Sequence, residues 1–229
     1  MITLTETLPQ KEPTSAAEIR IYSLHKAYGG SGIALFWLQK DEKENITAII
    51  SKMDNAVTVC AQNNADFEEI APFISVVGGQ TVLSNLPLPL HNERQVYQLS
   101  YIPNSVNKIN LPQPDYKDAY SIMSTRFDMP TYEVWYPDTC HRVRHNSALL
   151  VSNGKGALCG LLGGSSMLIV GLCSTPQSEG EGVATKLLDE IVNSNLAKTY
   201  TVLAEESLKQ YYVNQNFDVL GKHYIYGDV

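Results

Sequence analysis

Hydrophobic positions along the first half of the chain alternate between strand-like runs and helix-like stripes. A helix is predicted from Ser15, which forms a capping box with Glu18, to about Tyr28. A second helix is predicted after Asp66, because apolar residues follow it three and four positions apart. Short apolar runs predict the strands of this half at residues 33–38, 46–50, 56–61 and 81–84.

The second half repeats this alternation. A loop with Pro130, Trp135 and Pro137 is expected early in it, and Asn153-Gly154 indicates a tight hairpin between two apolar runs. Helices are predicted from Asp115 onward, at 183–193 and at 206–213. Strands are predicted at residues 147–152, 157–162, 167–172, 199–203 and 217–226.

The order of elements indicates a tandem duplication of an α+β unit. Helix, hairpin, strand, helix and strand follow one another twice. Residues 33–35 match residues 147–149, and residues 81–84 match residues 201–204. Two unrelated α+β halves that are similar by chance are the alternative interpretation.

Composition and charge limit the classes of protein. The 229 residues are 44% hydrophobic and 18% charged, enough for a buried core in one large domain or two small ones. The net charge of −7 argues against binding to nucleic acid or an anionic membrane. A stretch rich in Pro and Asn at 104–115 predicts a linker, with domains at 1–112 and 113–229.

The cysteines and the hydrophobic runs suggest a cytoplasmic protein. No signal-peptide-like run occurs near the first residue, and no run reaches the roughly 20 apolar residues that span a bilayer. The cysteines lack CxxC spacing and are expected to be reduced thiols: Cys60, Cys140, Cys159 and Cys173.

The most distinctive segment is 176–184, Pro-Gln-Ser-Glu-Gly-Glu-Gly-Val-Ala, between a predicted strand and a strongly amphipathic helix. A glycine-rich turn at a helix N-terminus presents unpaired N–H groups at the positive end of the helix dipole. Such a turn binds a pyrophosphate without cationic side chains. The first half has residues 62–66, Gln-Asn-Asn-Ala-Asp, in this place. The sequence therefore predicts a phosphate-binding turn in the second half alone.

The strand, glycine loop, helix, strand and tyrosine-bearing helix resemble the GNAT N-acetyltransferase superfamily over about residues 115–229. A degenerate copy is seen at about 16–100. The resemblance implies an α/β (α+β) fold, with a mixed, mostly antiparallel GNAT-type sheet flanked by helices. The whole chain would then consist of tandem GNAT-like halves.

The family's loop motif, Arg/Gln-x-x-Gly-x-Gly/Ala, can be placed in two registers. Residues 179–184 (Glu-x-x-Gly-x-Ala) are favoured because they fit the spacing from the preceding proline and the following helix. Residues 177–182 (Gln-x-x-Gly-x-Gly) are the alternative. In the favoured register Glu179 replaces the basic residue and Glu181 stands where many members have Lys. Two carboxylates beside a pyrophosphate are repulsive, which distinguishes this chain from the family pattern.

The resemblance implies transfer of an acetyl group from acetyl-coenzyme A to a primary amine by direct attack. Tyr212 is the implied general acid for the departing thiolate, within a Tyr-x-x-x-Asn-Phe match to the family's Tyr-x-x-x-Gly-Phe. Asn216, in place of that Gly, tolerates the left-handed conformation. The implied coenzyme-binding residues are Leu172, Cys173 and Ser174 for the pantetheine arm and Glu179, Gly180, Glu181, Gly182, Val183 and Ala184 for the pyrophosphate.

Residues 138–145, Asp-Thr-Cys-His-Arg-Val-Arg-His, would lie beside the acceptor in the GNAT layout. Trp135, His141 and His145 are therefore candidate acceptor contacts, and either histidine is a candidate base. The alternative is a solvated strand entry with an Asp138–Arg142 pair. A zinc site from the two histidines and the neighbouring cysteine lacks a fourth ligand, so no metal is expected.

The expected partner is a small-molecule or peptide amine, and the expected assembly is a monomer or homodimer. The alternative function is a catalytically weakened acyl-coenzyme A-binding or regulatory protein. In a third interpretation, the glycine loop is an ordinary connection in a structural α+β repeat.

Overall fold

The computed structural model describes residues 1–104 and 113–227. The boundary predicted between residues 112 and 113 borders the segment outside this description and stays a prediction. The first half contains β1 (Ile2–Thr5), α1 (Ala16–Tyr28), β2 (Ala34–Lys40), β3 (Ile46–Met53), β4 (Ala56–Ala61), α2 (Phe67–Val76), β5 (Thr81–Ser84) and β6 (Glu93–Tyr101). The second contains α3 (Tyr116–Met123), α4 (Tyr132–Arg144), β7 (Ala148–Ser152), β8 (Gly156–Gly163), β9 (Ser166–Ser174), α5 (Val183–Val192), β10 (Thr199–Ala204), α6 (Glu206–Asn214) and β11 (Asp218–Gly227).

The strands form one sheet in the order β1-β2-β3-β4-β5-β11-β6-β10-β9-β8-β7. The β4–β5 and β9–β10 pairs are parallel, and the other pairs are antiparallel. The predicted mixed, mostly antiparallel sheet flanked by helices is therefore confirmed.

The two halves repeat the same pairing, and the residues matched in the sequence are equivalent in the sheet. One row of paired residues crosses β2, β3, β4 and β5 at Ala34, Met53, Ala56 and Thr81. The corresponding row crosses β7, β8, β9 and β10 at Ala148, Leu161, Leu168 and Thr201. Both the strand order and the register thus support two similar units.

The last strand of each half pairs with a strand of the other half. β6 pairs with β10, and β11 pairs with β5. β6 and β11 also pair with each other and join the two units. Strands β1 and β6 were not predicted, because they carry few of the consecutive apolar residues that mark the other strands.

Helix α1 lies between the two units. Its predicted capping box is confirmed, since the Ser15 Oγ accepts from the Glu18 N–H and the Glu18 carboxylate accepts from the Ser15 N–H. Ile19 packs against β7, β8 and β9 of the second half, whereas Ile21 and Leu24 pack against β2 and β3 of the first. This burial on opposite sides makes α1 part of both cores.

Residues 132–144 form a helix, so the predicted loop around Trp135 and Pro137 and the predicted strand entry at 138–145 are wrong. Pro137 removes one helical hydrogen bond, but aromatic contacts between α3 and α4 stabilise the helix around it. The predicted Asp138–Arg142 pair is present at 2.9 Å, with the i,i+4 spacing of a helix face. No helix within the described ranges is long and apolar enough to cross a membrane.

Candidate active site

Strand β9 carries one residue more than its neighbour β8. Cys159 pairs with Gly171 and Gly160 pairs with Ile169, so Val170 forms a β-bulge. Parallel pairing with β10 ends at the same point, since Ile169–Val202 is the last pair. From Val170 to the end of β9, the backbone edge that faces β10 therefore has no partner strand among the described residues.

The predicted glycine loop follows directly at the end of this open edge. A 3₁₀ turn (Pro176–Ser178) leads to Gly180 and Gly182, whose φ angles of 82° and 75° disfavour any residue with a Cβ. Gly182 is the N-cap of α5 and supplies no side-chain acceptor, and no protein atom lies within 4 Å of where a Cβ would stand at either glycine.

The first turn of α5 leaves its backbone donors available. The Lys186 N–H makes the first helical bond, to the Gly182 carbonyl at 3.0 Å. In the part of the chain that the structure describes, the N–H groups of Val183 and Ala184 have no protein acceptor. These amides lie at the positive end of the helix dipole, an arrangement that binds anions.

Both glutamates of the loop are paired with cations. Arg126 Nη2 lies 2.6 Å from Glu179 Oε2, and Arg126 Nε donates to the Ser174 carbonyl at 3.2 Å. Lys155 Nζ lies 3.0 Å from Glu181 Oε2. The sequence predicted repulsion between these two carboxylates and a pyrophosphate. The two cations bring the local charge close to zero and so reduce this repulsion. Arg126 follows α3 and Lys155 lies in the β7–β8 hairpin, so neither belongs to a local motif around the loop.

The predicted pantetheine residues lie in the open part of β9. Leu172 packs on the α5 side of the sheet, and Cys173 is buried on the α3 side. Burial raises the pKa of the Cys173 thiol, which favours a structural thiol over a nucleophile. Ser174 ends the strand beside Arg126. The structure thus brings Leu172–Ser174 next to the glycine loop in one continuous segment.

Tyr212 is half-buried on α6 and packs against the hydrophobic cluster that also holds Leu172. Burial raises the pKa of the Tyr212 hydroxyl to about 12, and no hydrogen bond within the described residues engages that hydroxyl. The neighbouring Tyr211 hydroxyl is 3.3 Å from Thr185 Oγ1. Asn216 has a φ of 63°, so it adopts the left-handed conformation that the motif requires.

The candidate acceptor contacts lie on α4, not in the glycine-loop segment. His141 Nε2 is 2.9 Å from the Ala27 carbonyl, and its ring stacks on Tyr28 at 4.6 Å. His145 is exposed, with Nδ1 2.9 Å from the His141 carbonyl. Trp135 lines a cavity between the halves. In residues 1–104 and 113–227, no group of three or more His, Cys, Asp or Glu side chains is placed to hold a metal ion.

No protein-family model and no curated protein matches this sequence. Solved structures do: a GCN5-related N-acetyltransferase from Sphaerobacter thermophilus is 15% identical, with 96% of each chain covered and a TM-score of 0.57. One from Kribbella flavida is 10% identical over 93% of this chain and 95% of that one, with a TM-score of 0.55. The chain therefore has the GNAT fold. A tandem GNAT protein from the clavulanic acid biosynthesis pathway is 8% identical over 98% of this chain and 91% of that one, with a TM-score of 0.51.

The predicted GNAT-type fold is thus confirmed, and similarity to a tandem GNAT protein agrees with the two repeated units. A fold hosts many activities, and at these identities the likeness concerns the fold alone. The activity has to be argued from the open edge of β9, the glycine loop and Tyr212, which occur together in the second half of this GNAT fold.

Proposed function

We propose that this protein is an N-acetyltransferase that transfers the acetyl group of acetyl-coenzyme A to a primary amine. One observation carries the proposal: the bulge at Val170 opens an edge of β9 that leads directly to free amides at the start of α5. An open strand edge offers hydrogen bonds to an amide-containing chain, and the helix start offers them to a phosphate.

The residues present fit the chemistry of this coenzyme. The two amide groups of a pantetheine arm match the N–H and C=O groups of residues 170–173 on the open edge, and the pyrophosphate matches the amides of Gly180, Gly182, Val183 and Ala184. Arg126 and Lys155 can turn from their exposed glutamate partners towards phosphate oxygens, because both ion pairs lie at the surface.

The bound thioester would supply an electrophilic carbonyl carbon. The acceptor nitrogen forms a C–N bond to this carbon as the C–S bond breaks, and the proton from the amine passes to a base or to water. A free N–H of β9 polarises the carbonyl oxygen. Tyr212 donates its proton to the departing sulfur, and its raised pKa keeps the hydroxyl protonated at neutral pH.

The proposed acceptor is a small-molecule or peptide amine, which the net charge of −7 attracts weakly. His141 and His145 remain candidates for the base, with a water chain as the route from the acceptor, since His141 lies on α4 and His145 is its C-cap. We propose a cytoplasmic monomer or homodimer that needs no metal for this reaction.

Thermal unfolding with and without acetyl-coenzyme A tests the proposal, followed by an assay of thiol release with a panel of polyamines and amino acids. At 100 times Kd the coenzyme should stabilise the protein by about 2.7 kcal/mol, which raises Tm by roughly 5–10 °C. Thiol release should depend on the amine. Binding without turnover on any amine would favour the catalytically weakened alternative, and no shift with any coenzyme A species would overturn the proposal.

A further inference from the structure

A cavity of about 380 Å³ lies between the two halves. Its walls come from α1 and α4, from β3 and β4 of the first half, and from β7, β8 and β9 of the second. Val170 and Cys159 line it on the side of the β9 bulge, and Trp135 lines it from α4. The cavity therefore reaches the point where β9 and β10 separate, and its volume suits a molecule about as large as an amino acid.

Arg20 projects into this cavity from α1. Across the described residues, no hydrogen bond or ion pair satisfies its guanidinium group. Burial lowers the pKa of Arg20, and the positive charge of Arg142 lowers it further. Arg20 as a whole is half-buried, and its guanidinium nitrogens keep contact with solvent, so the group is free to bind an anion that enters the cavity.

Neither acidic residue of the cavity wall forms an ion pair with Arg20 in the described part of the chain. Asp138 accepts from Arg142 Nε at 2.9 and 3.0 Å and also accepts from the Tyr28 hydroxyl. Asp54 is exposed on the β3–β4 turn and has no ion pair in the described part of the chain. Arg142 is already neutralised by Asp138, whereas Arg20 is the cation of this wall that is left for a ligand.

Two hydroxyl groups lie on the same wall. Ser51 is 1% exposed, and its Oγ is buried without a hydrogen-bond partner in the described residues. Thr58 is directly opposite Ser51 on the neighbouring strand and also lines the cavity. An unsatisfied buried hydroxyl costs stability unless a ligand accepts its proton. The wall thus combines an unpaired guanidinium with hydrogen-bond donors, which is the donor set for a carboxylate.

We infer that this cavity binds a small aminocarboxylate, with its carboxylate on Arg20 and Ser51 and its amine towards Val170. The direction of the amine rests on the proposed function, because an acetyl group on the open edge of β9 would be reached from that side. The binding of the carboxylate does not depend on acyl transfer and can be measured without any coenzyme.

Calorimetric titration of the full chain tests the inference with the twenty standard amino acids, β-alanine and 4-aminobutyrate. The matched amines without a carboxylate are phenethylamine for phenylalanine and isoamylamine for leucine. At least one aminocarboxylate should bind, and its amine analogue should bind at least about tenfold more weakly, as loss of one charge-assisted hydrogen bond predicts. Absence of binding by the whole set would overturn the inference.

Substitution of Arg20 separates recognition from structure. R20M should weaken binding by roughly 10- to 100-fold, whereas R144M, which removes an exposed arginine of α4 outside the cavity, should leave it unchanged. R20M should leave Tm close to the wild-type value, because Arg20 is half-buried and no hydrogen bond or ion pair within the described residues depends on it. A lower Tm for R20M, or unchanged affinity, would contradict the assignment. S51A gives a second, milder variant that should weaken binding with Tm retained.

The inference and the proposed function can fail separately. Binding of aminocarboxylates with no thiol release from acetyl-coenzyme A would support the cavity assignment and contradict the proposed transferase activity. Equal acetylation of amines with and without a carboxylate, by both the wild type and R20M, would contradict the cavity assignment and support the proposed transferase activity.

Discussion

The two halves have the same strand order, but they differ at the point where their parallel strands stop pairing. In the first half, β4 has no bulge and pairs with β5 as far as Val59–Ser84. The side chain of Asn85 then extends the ladder, accepting from the Ala61 N–H at 2.8 Å and donating to its carbonyl at 2.9 Å. In the second half, Val170 interrupts the pairing, and the edge of β9 stays open.

The helix starts differ in the same sense. The Asp66 carboxylate caps α2 by accepting from the Glu69 N–H at 3.0 Å, so a side chain occupies this donor in the first half. Gly182 has no side-chain acceptor, so the corresponding donor of α5, the Thr185 N–H, has no cap within the described residues. The first half thus satisfies the Ala61 groups and the Glu69 N–H with its own side chains, whereas the second half leaves the equivalent groups without a protein partner among the described residues. This difference underlies our proposal that the second half binds the ligand and the first half supports it.

Removal of Val170 should have the largest effect on coenzyme affinity. Deletion restores a regular strand, which can then pair with β10 and close the edge. If roughly three backbone hydrogen bonds to the coenzyme are lost, at about 1 kcal/mol each, affinity falls at least about 100-fold. Titration with acetyl-coenzyme A measures this effect.

A second bulge provides the matched control. Leu220 is the extra residue of β11, where Val219 pairs with Leu99 and Gly221 with Gln98, away from the glycine loop. Its deletion should leave coenzyme affinity unchanged in a folded protein. Tight binding by the Val170 deletion variant would show that the open edge is not where the coenzyme lies.

Y212F should lower kcat by about 10²- to 10⁴-fold, because the sulfur would leave without its proton donor. Coenzyme affinity should be nearly unchanged, since Tyr212 holds no pyrophosphate. Y211F is the control: the Tyr211 hydroxyl already lies 3.3 Å from Thr185 Oγ1, so its loss should leave kcat close to wild type. Steady-state rates of thiol release distinguish the two, and an equal loss in both variants would contradict the role of Tyr212.

Local signals account for the parts of the fold that were predicted correctly. The caps at Ser15, Asp66 and Asp115 and the αL residue Asn216 depend on contacts within a few residues, which the sequence displays directly. Helix α4 was missed because Pro137 indicates a break, while its stabilising contacts come from α3 across space.

The site divides in the same way. The glycine loop and Tyr212 have local motifs, so the sequence could single them out as candidates, whereas Arg126, Lys155 and Arg20 reach their positions through the tertiary fold. The bulge at Val170 lies in the apolar run 167–172, in which no residue type marks the extra position. The exchange of β6 and β11 between the halves has no sequence signal either, because it depends on which strands become neighbours.

N85A should expose the backbone at the end of β4 and lower the stability of the protein without changing the rate of the reaction. Two backbone groups of Ala61 would lose their partner, which lowers the free energy of unfolding by about 1–2 kcal/mol. Chemical denaturation measures this loss, and thiol release under native conditions should stay at the wild-type rate. Tight binding of a second coenzyme molecule to N85A would contradict the assignment of the first half to support.

The smallest expected effect concerns the cations that compensate the two acids of the loop. E179Q frees Arg126 for phosphate, and since surface pairs contribute about 0.2–1 kcal/mol, coenzyme affinity should rise by about 1.5- to 5-fold. R126Q should lower it by a similar factor. E42Q, at an exposed glutamate of the β2–β3 turn, should change nothing. Both effects should shrink in high salt, because screening acts on exposed charges. Weaker binding by E179Q would mean that Glu179 itself contributes to the coenzyme site, and the second half would then differ from the first by an acid as well as by its open edge.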